Sequence, residues 1–491
     1  MQSGRLLIRR AGLLGGAIRD IRISAGVIDA IEPVLLPTDG EQVIDAECNA
    51  VLRGLHDHHL HLFAAAAARA SVVCGPPSVH DEDGLRDALS NGPAGHDGWI
   101  RGVGFHDSVC AALDRYWLDH VCPDRPVRVQ HRSGMLWVLN SRALDLLGLT
   151  GTETLPKGVE RTAGGQLTGR FYALDGWLGA RLGLKRPTLV DLSSHLASVG
   201  VTGVTDAGAR NGPREWDALE LARQRGEFEQ RMVVMGDETL VARTRESPDG
   251  PELGPLKIYL REDDLPALSD VVSRIVAAHG IGRCVAIHCV TRVELAIALA
   301  AFNESGTRRG DRIEHAAVTD DEAIERIGTL GLTVVTQPHF VAERGSQYLA
   351  QVEPADVALL YRARAFLRHG VRIAAGSDAP YGRADPWMSM RAAVSRRTDA
   401  DRVIGVDEAL SATEAMALYS GDAHDPGSPQ PALRVGDAAD LCMLDVHWEA
   451  ALASLDARHV ARTLCRGQVI YAAPARLQTT RVSSNSGECS T

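Results

Sequence analysis

The octapeptide HDHHLHLF (56–63) sets two imidazoles, His59 and His61, two residues apart. In extended chain, residues i and i+2 face one side, so both rings can reach a single cation. Apolar neighbours on both sides argue against a solvated histidine-rich loop. Farther along, four apolar runs end on or near a side chain able to serve the same ion or a second one: Lys257 in PLKIYL, His288 in CVAIHC, His315 in DRIEHA and Asp378 in VRIAAGSD. Singly, each has another use, since a histidine at a strand end can hydrogen-bond within a core and Asp378 can cap the next helix. Together they point to a centre for one or two divalent ions, whose chemistry is the activation of water.

Such a centre needs elements that bring distant residues to one rim. From about residue 200, short β-branched runs recur with helical text between them: VTGVTDAG (201–208), QRMVVMG (230–236), PLKIYL (255–260), CVAIHC (284–289), DRIEHA (311–316), LTVVTQ (332–337) and VRIAAGSD (371–378). Their starts lie mostly 20 to 30 residues apart, the length of one βα unit, and their composition suits a parallel sheet covered by helices. With AVLRGL (50–55) they number eight, which predicts an α/β fold, a closed (β/α)8 TIM-like barrel over 51–424. In that fold the C-terminal ends of the strands converge, which is where the candidate ligands fall.

About 145 residues separate the first strand from the second, far more than a βα loop needs, so an inserted subdomain is expected at about 75–190. Its Gly-rich text (HRSGMLWVLNSRAL, GVERTAGGQLTGRF) suggests hairpins and short helices over the barrel mouth, in a lid-like position. Residues 1–50 and 425–475 read as short strands with Gly turns and are expected to pair in one small β-sandwich built from both termini. The tail 476–491 has little to bury and is expected to be disordered.

The chain has 491 residues and a formal net charge of −11, from 52 Lys and Arg against 63 Asp and Glu, without basic runs. That gives no electrostatic footprint for nucleic acid or a membrane surface and leaves a small-molecule substrate as the expectation. No apolar stretch reaches the roughly 18 residues of a membrane span, and the opening MQSGRLLIRRAGLL lacks a signal-peptide pattern, so a cytoplasmic location is expected. The nine cysteines contain no Cys-x-x-Cys pair and read as reduced thiols; Cys289, next to His288, is the one to watch.

In order and spacing, GLHDHHLHL (54–62), RPVRVQHRSG (125–134), VLNSRAL (138–144), GVTDAG (203–208), PLKIYL, AIH (286–288), RIEHA (312–316), GSDAP (376–380) and GDAADLCMLD (436–445) resemble the amidohydrolase superfamily. The likeness is to its amidohydrolase 3 branch, which includes N-substituted formamide deformylases, and it covers nearly the whole chain. It implies His59 and His61 on one metal, His288 and His315 on the other, and Asp378 as ligand and proton shuttle. Lys257 matches a lysine that relatives carboxylate with CO2 to bridge two metals; left as the ammonium, it would imply one. The implied cofactor is zinc, two per chain or one, and the implied reaction is cleavage of a non-peptide, amide-like C–N bond by metal-activated water. A homodimer is expected by the same analogy. Two departures stand out: Met135 replaces a histidine common in relatives, and Arg53 replaces a proline, while Asp57 keeps its place before the histidine pair and is expected to anchor the strand or a ligand.

Substrate contacts are expected from strand-end loops and the insertion: Met135, Trp137, Phe171, Tyr172, His339, Tyr381 and Trp387. In a chain with only 4% aromatic residues, their gathering there would favour an apolar substrate. Two other readings remain open. A heterocycle deaminase uses the same barrel, but the residues after His288 read CVTRVE and lack the His-x-x-Glu pattern. A non-catalytic binding or scaffold barrel would have lost ligands, whereas every expected one is present.

Overall fold

Eight strands pair side by side in parallel: β1 (Leu55–Leu60), β2 (Val201–Asp206), β3 (Arg231–Gly236), β4 (Glu252–Tyr259), β5 (Val285–Cys289), β6 (Arg312–His315), β7 (Thr333–Thr336) and β8 (Arg372–Ala375). The computed structural model describes all residues except 1–4, 94, 96–97, 152, 184–185, 241–249, 429–432 and 475–491, so the expected disordered tail lies outside the described residues. Strands β1, β2, β6 and β7 are buried at every position, as parallel strands with helices outside and side chains inside must be.

The helices between them start on local signals. Thr291 accepts the Glu294 N–H while Glu294 accepts those of Val290 and Thr291, which opens the helix Arg292–Ser305 directly after β5. Asp320 and Asp385 cap the helices Asp321–Thr329 and Pro386–Ser395 by accepting N–H groups of their first turns. Their apolar faces pack on the outward residues of the strands, Val204, Val234, Ile258, Ile287, Ile313 and Val334 among them, in one continuous core.

The ring closes between β8 and β1 by an unusual seam. At the upper end Asp378 N–H donates to His59 O (2.7 Å) and His61 N–H to Ala379 O (2.8 Å). At the lower end the segment 418–419 is wedged in, with Ala375 N–H on Leu418 O and His56 N–H on Tyr419 O. Gly376 makes the close approach possible, because a Cβ there would overlap the His59 backbone.

The structure corrects one expectation. Within AVLRGL, Val51–Arg53 pairs antiparallel with Leu441–Leu444 in the terminal sandwich, and the first barrel strand is the histidine-bearing LHDHHL itself. The chain changes sheets at Gly54, where a side chain would collide with Thr202. His59 thus lies inside a strand rather than just beyond one. The sandwich has two four-stranded sheets, one holding Leu6–Gly12, Ile18–Ser24, Val27–Glu32 and Gln42–Asp45, the other Val51–Arg53 with Leu441–Leu444, Val460–Cys465 and Gln468–Ala472. Ile8, Ile21, Ile23, Leu441, Met443 and Leu464 fill the space between them.

The insertion is more regular than hairpins alone. It carries a six-stranded mixed sheet running from Val72–Val73 through Ile100–Phe105, Val127–His131 and Leu136–Leu139 to the hairpin Leu167–Tyr172 and Val159–Arg161. Its turn at 131–134 touches the loop after β8, and His106 Nε2 meets Gln347 Nε2 of the helix His339–Gln351 at 3.0 Å. The insertion therefore roofs one side of the mouth.

Candidate metal centre

Two of the expected ligands come from β1 and its exit, and one from the loop after β8. The donor atoms of His59, His61 and Asp378 all lie within 4.8 Å of one another; Asp378 Oδ1 is 3.5 Å from His59 Nε2 and 3.3 Å from His61 Nε2. Strands β5 and β6 bring His288 and His315 beside this trio. The His315 ring centroid is 4.8 Å from that of His59 and 4.5 Å from that of His288. Lys257, from the interior face of β4, is 2% exposed and its Nζ has no hydrogen-bond partner among the described residues. All six expected ligands thus meet at one rim.

The tautomers are set from outside. Glu314 takes the Nδ1–H of His59, and Arg312 Nε donates to Glu314 at 2.5 Å. Gln337 Oε1 sits 2.8 Å from His315 Nδ1. In both histidines this leaves the Nε2 lone pair for the centre, the usual role of a partner behind a metal-bound imidazole. Sequence reasoning missed Glu314, Arg312 and Gln337; the only signal was the RIEH run itself, with a charged pair on the residues that alternate into the barrel.

Charge states suit cation binding. Burial lowers His59 to about 3, helped by Lys257, and burial also lowers His288 and His315, so their rings are neutral donors. Burial works against ionised Asp378, but the His61 hydrogen bond and the surrounding imidazoles outweigh it and hold the carboxyl well below its usual range. Burial likewise opposes charge on Glu314, yet Arg312, Lys257 and His59 keep it ionised. Burial lowers Lys257 as well, against the pull of Glu314. Burial raises the Cys289 thiol well above its ordinary value, which makes it an inert neighbour.

Backbone strain falls here too: His315 has φ +69° and Asp378 φ +51°, left-handed values that cost about 1–3 kcal/mol each away from glycine and cluster at functional sites. Asp57 does not reach a ligand ring. It accepts the N–H groups of His59 (3.2 Å) and Ser377 (2.9 Å), and so ties β1 to the β8 loop.

The expected substrate contacts separate. The Tyr381 ring stands edge-on to His61 at 5.8 Å, and Met135 is half-buried on the turn beside it. Tyr259, which sequence reasoning passed over, ends β4 with its ring 4.4 Å from that of His288 and its side chain open to solvent. Trp387, by contrast, has no exposed surface and donates to Val199 O among the outer helices. His339 is equally buried, with its nitrogens on Ser377 O and Ser389 Oγ. Phe171 and Trp137 lie in the core of the insertion, and Tyr172 is 40% exposed beside Arg170. Those five thus take packing or surface positions.

An eight-stranded parallel barrel with a histidine and carboxylate cluster at the C-terminal ends of its strands, fitted with a terminal β-sandwich, defines a metal-dependent hydrolase of the amidohydrolase type. Residues 42–471 match the amidohydrolase family, and the chain belongs to it: a hydrolase acting on C–N bonds other than peptide bonds. It is 29% identical over 495 residues to the N-substituted formamide deformylase of Arthrobacter pascens, covering 88% of this chain and 90% of that protein. It is 24% identical over 413 residues to the putative amidohydrolase YtcJ of Bacillus subtilis (strain 168), covering 75% and 78%. In fold it is similar to an uncharacterized metal-dependent hydrolase from Pyrococcus horikoshii OT3, with TM-score 0.69 and 20% identity over 90% of this chain and 97% of the other.

Proposed function

We propose that this enzyme hydrolyses an amide-like bond of a small molecule with two zinc ions, His59, His61 and Asp378 holding one and His288 and His315 the other. Lys257, once carboxylated by CO2, would offer a further ligand to both ions. A free ammonium is no ligand, whereas a carbamate offers two oxygens and a negative charge; the unpartnered, buried Nζ supports the assignment. The observation that carries the proposal is the convergence of three ligating groups within 4.8 Å, with neutral histidines beside them. A divalent ion held there lowers the pKa of water from about 15.7 towards roughly 7 and polarises a carbonyl.

The chain's own residues supply the rest. Asp378, ionised, orients the attacking water, takes its proton and delivers it to the leaving nitrogen. Glu314 and Gln337 hold two imidazoles in the ligating tautomer throughout. Tyr259 and Tyr381 wall the space above. The likeness to a formamide deformylase supports N-formyl or similar amides as substrates. We place the enzyme in the cytoplasm and, by analogy with such barrels, as a homodimer; among the described residues no helix is long and apolar enough to cross a membrane.

The test is a hydrolysis screen of N-formyl amines, N-acyl amino acids, aryl amides, cyclic amides and esters, on protein loaded with zinc and carbon-13 bicarbonate. We expect turnover abolished by chelator, two metal equivalents per chain and a carbamate carbon signal. One equivalent without that signal reduces the site to a single ion, and chelator-insensitive turnover overturns the mechanism.

A further inference from the structure

Three guanidinium groups gather where the insertion meets the barrel mouth, and none has a carboxylate within ion-pair distance among the described residues. Arg101, on the strand Ile100–Phe105, donates to Ser71 Oγ (2.7 Å) and Gln130 Oε1 (3.4 Å) and lies over the Trp137 ring at 5.4 Å. Arg344, on the helix His339–Gln351, donates to the Tyr381 carbonyl and stacks on Phe340 at 4.0 Å. Arg132, on the turn at 131–134, is half-buried, and its side chain makes no hydrogen bond or ion pair with any described residue.

Elsewhere around the barrel Arg362 is matched by Asp321 and Glu408 and Arg364 by Glu414, while the buried Arg283 and Arg396 spend their guanidinium N–H groups on backbone carbonyls. At the mouth the acids are committed to other groups. Glu343 accepts the Arg383 N–H (3.1 Å), Asp399 accepts the Ser346 hydroxyl, and Asp175 accepts the Trp137 indole N–H (2.9 Å).

Tyr381 links these cations to the metal centre. Its ring meets His61, its carbonyl takes Arg344, and its hydroxyl packs on Gly134, where a Cβ would lie 2.7 Å away. Burial and the like charge of Arg344 lower Arg132, and burial with Arg128 brings Arg101 down to about 10. Partly desolvated cations without counter-ions are a standing cost that an anionic ligand removes. A guanidinium fork matches a carboxylate in two parallel hydrogen bonds. We propose that Arg132 and Arg344 bind a carboxylate of the substrate, so that the enzyme prefers amides of acid-bearing molecules over neutral ones. This rests on the hydrolytic reading of the metal centre.

The test compares N-formylphenylalanine, as both enantiomers, with N-formyl-2-phenylethylamine, which differs only by the carboxylate, on the zinc-loaded full chain. We expect kcat/KM for one enantiomer of the acid to exceed that for the amine by about 100-fold or more, as when a built polar site loses its partner. Arg132→Met collapses that preference, with the loss falling on KM for the acid. Arg132→Lys, which keeps the charge but not the fork, retains part of it and serves as the readout if the methionine variant does not fold. Equal use of acid and amine, or a preference unchanged in both variants, overturns the proposal. If neither probe is hydrolysed, calorimetry decides: saturable binding of N-formylphenylalanine that weakens in the Arg132 variants supports the carboxylate site while hydrolysis of this bond fails, and no binding overturns the site itself.

Discussion

Glu314 decides which nitrogen of His59 faces the rim. With Nδ1–H given to Glu314, the ring is held in one tautomer and made more basic, and Arg312 keeps the carboxylate charged at no exposed surface. Glu314→Gln is therefore expected to weaken zinc binding about 10–100-fold, the usual cost of removing a partner behind a ligand, with activity recovering at high zinc; unchanged affinity in a metal-competition titration contradicts the role. In the proposed mechanism Asp378 and His59 bear on the chemistry more directly. Asp378→Asn and His59→Ala should each lower kcat by about 100-fold or more, the scale of general acid–base and metal contributions. Circular dichroism should stay unchanged, and near-normal turnover in either variant removes that residue from the mechanism.

Strands and helices position these groups with different legibility. The β-branched runs announce β2 to β8 because parallel barrel strands, buried on both faces, leave a plain apolar signature. The histidine pair and Asp378 were readable because ligand types recur at the same relative point of each run. The first strand was misread because LHDHHL is polar by composition, so the apolar text before it reads as the strand and the histidines as its exit. Glu314 and Gln337 were invisible for a related reason: a side chain that serves another side chain depends on contacts far apart in sequence. Trp387 looked like a rim residue because it follows GSDAP closely, yet the Asp385 cap starts a helix there and turns the indole outward into the helical layer. Trp387→Ala should then cost about 3–5 kcal/mol of stability and leave KM nearly unchanged at a permissive temperature. A large rise in KM without loss of stability would return it to the substrate pocket.

The whole molecule carries an acid sensitivity. His56, His58, His59, His315 and His339 are buried and His288 is half-buried, and all six are lowered, chiefly by burial. Between their folded values and about 6.5 the unfolded chain binds more protons than the native one, so stability falls as pH falls through that window. For His58, held at about 3, the loss by pH 5 is about 2 kcal/mol. Urea midpoints of the metal-free protein at pH 7 and pH 5 measure it, and equal midpoints would show that these rings are not neutral in the fold.

The passage from sandwich to barrel through Gly54 has an engineering consequence. The strand that delivers two imidazoles to the rim is spliced directly onto Val51–Arg53, which the C-terminal strand Leu441–Leu444 holds in place. Trimming either terminus would therefore unmoor the catalytic ring at its own first stave. The terminal module is no detachable appendage, and a shortened chain would surrender its metal along with it.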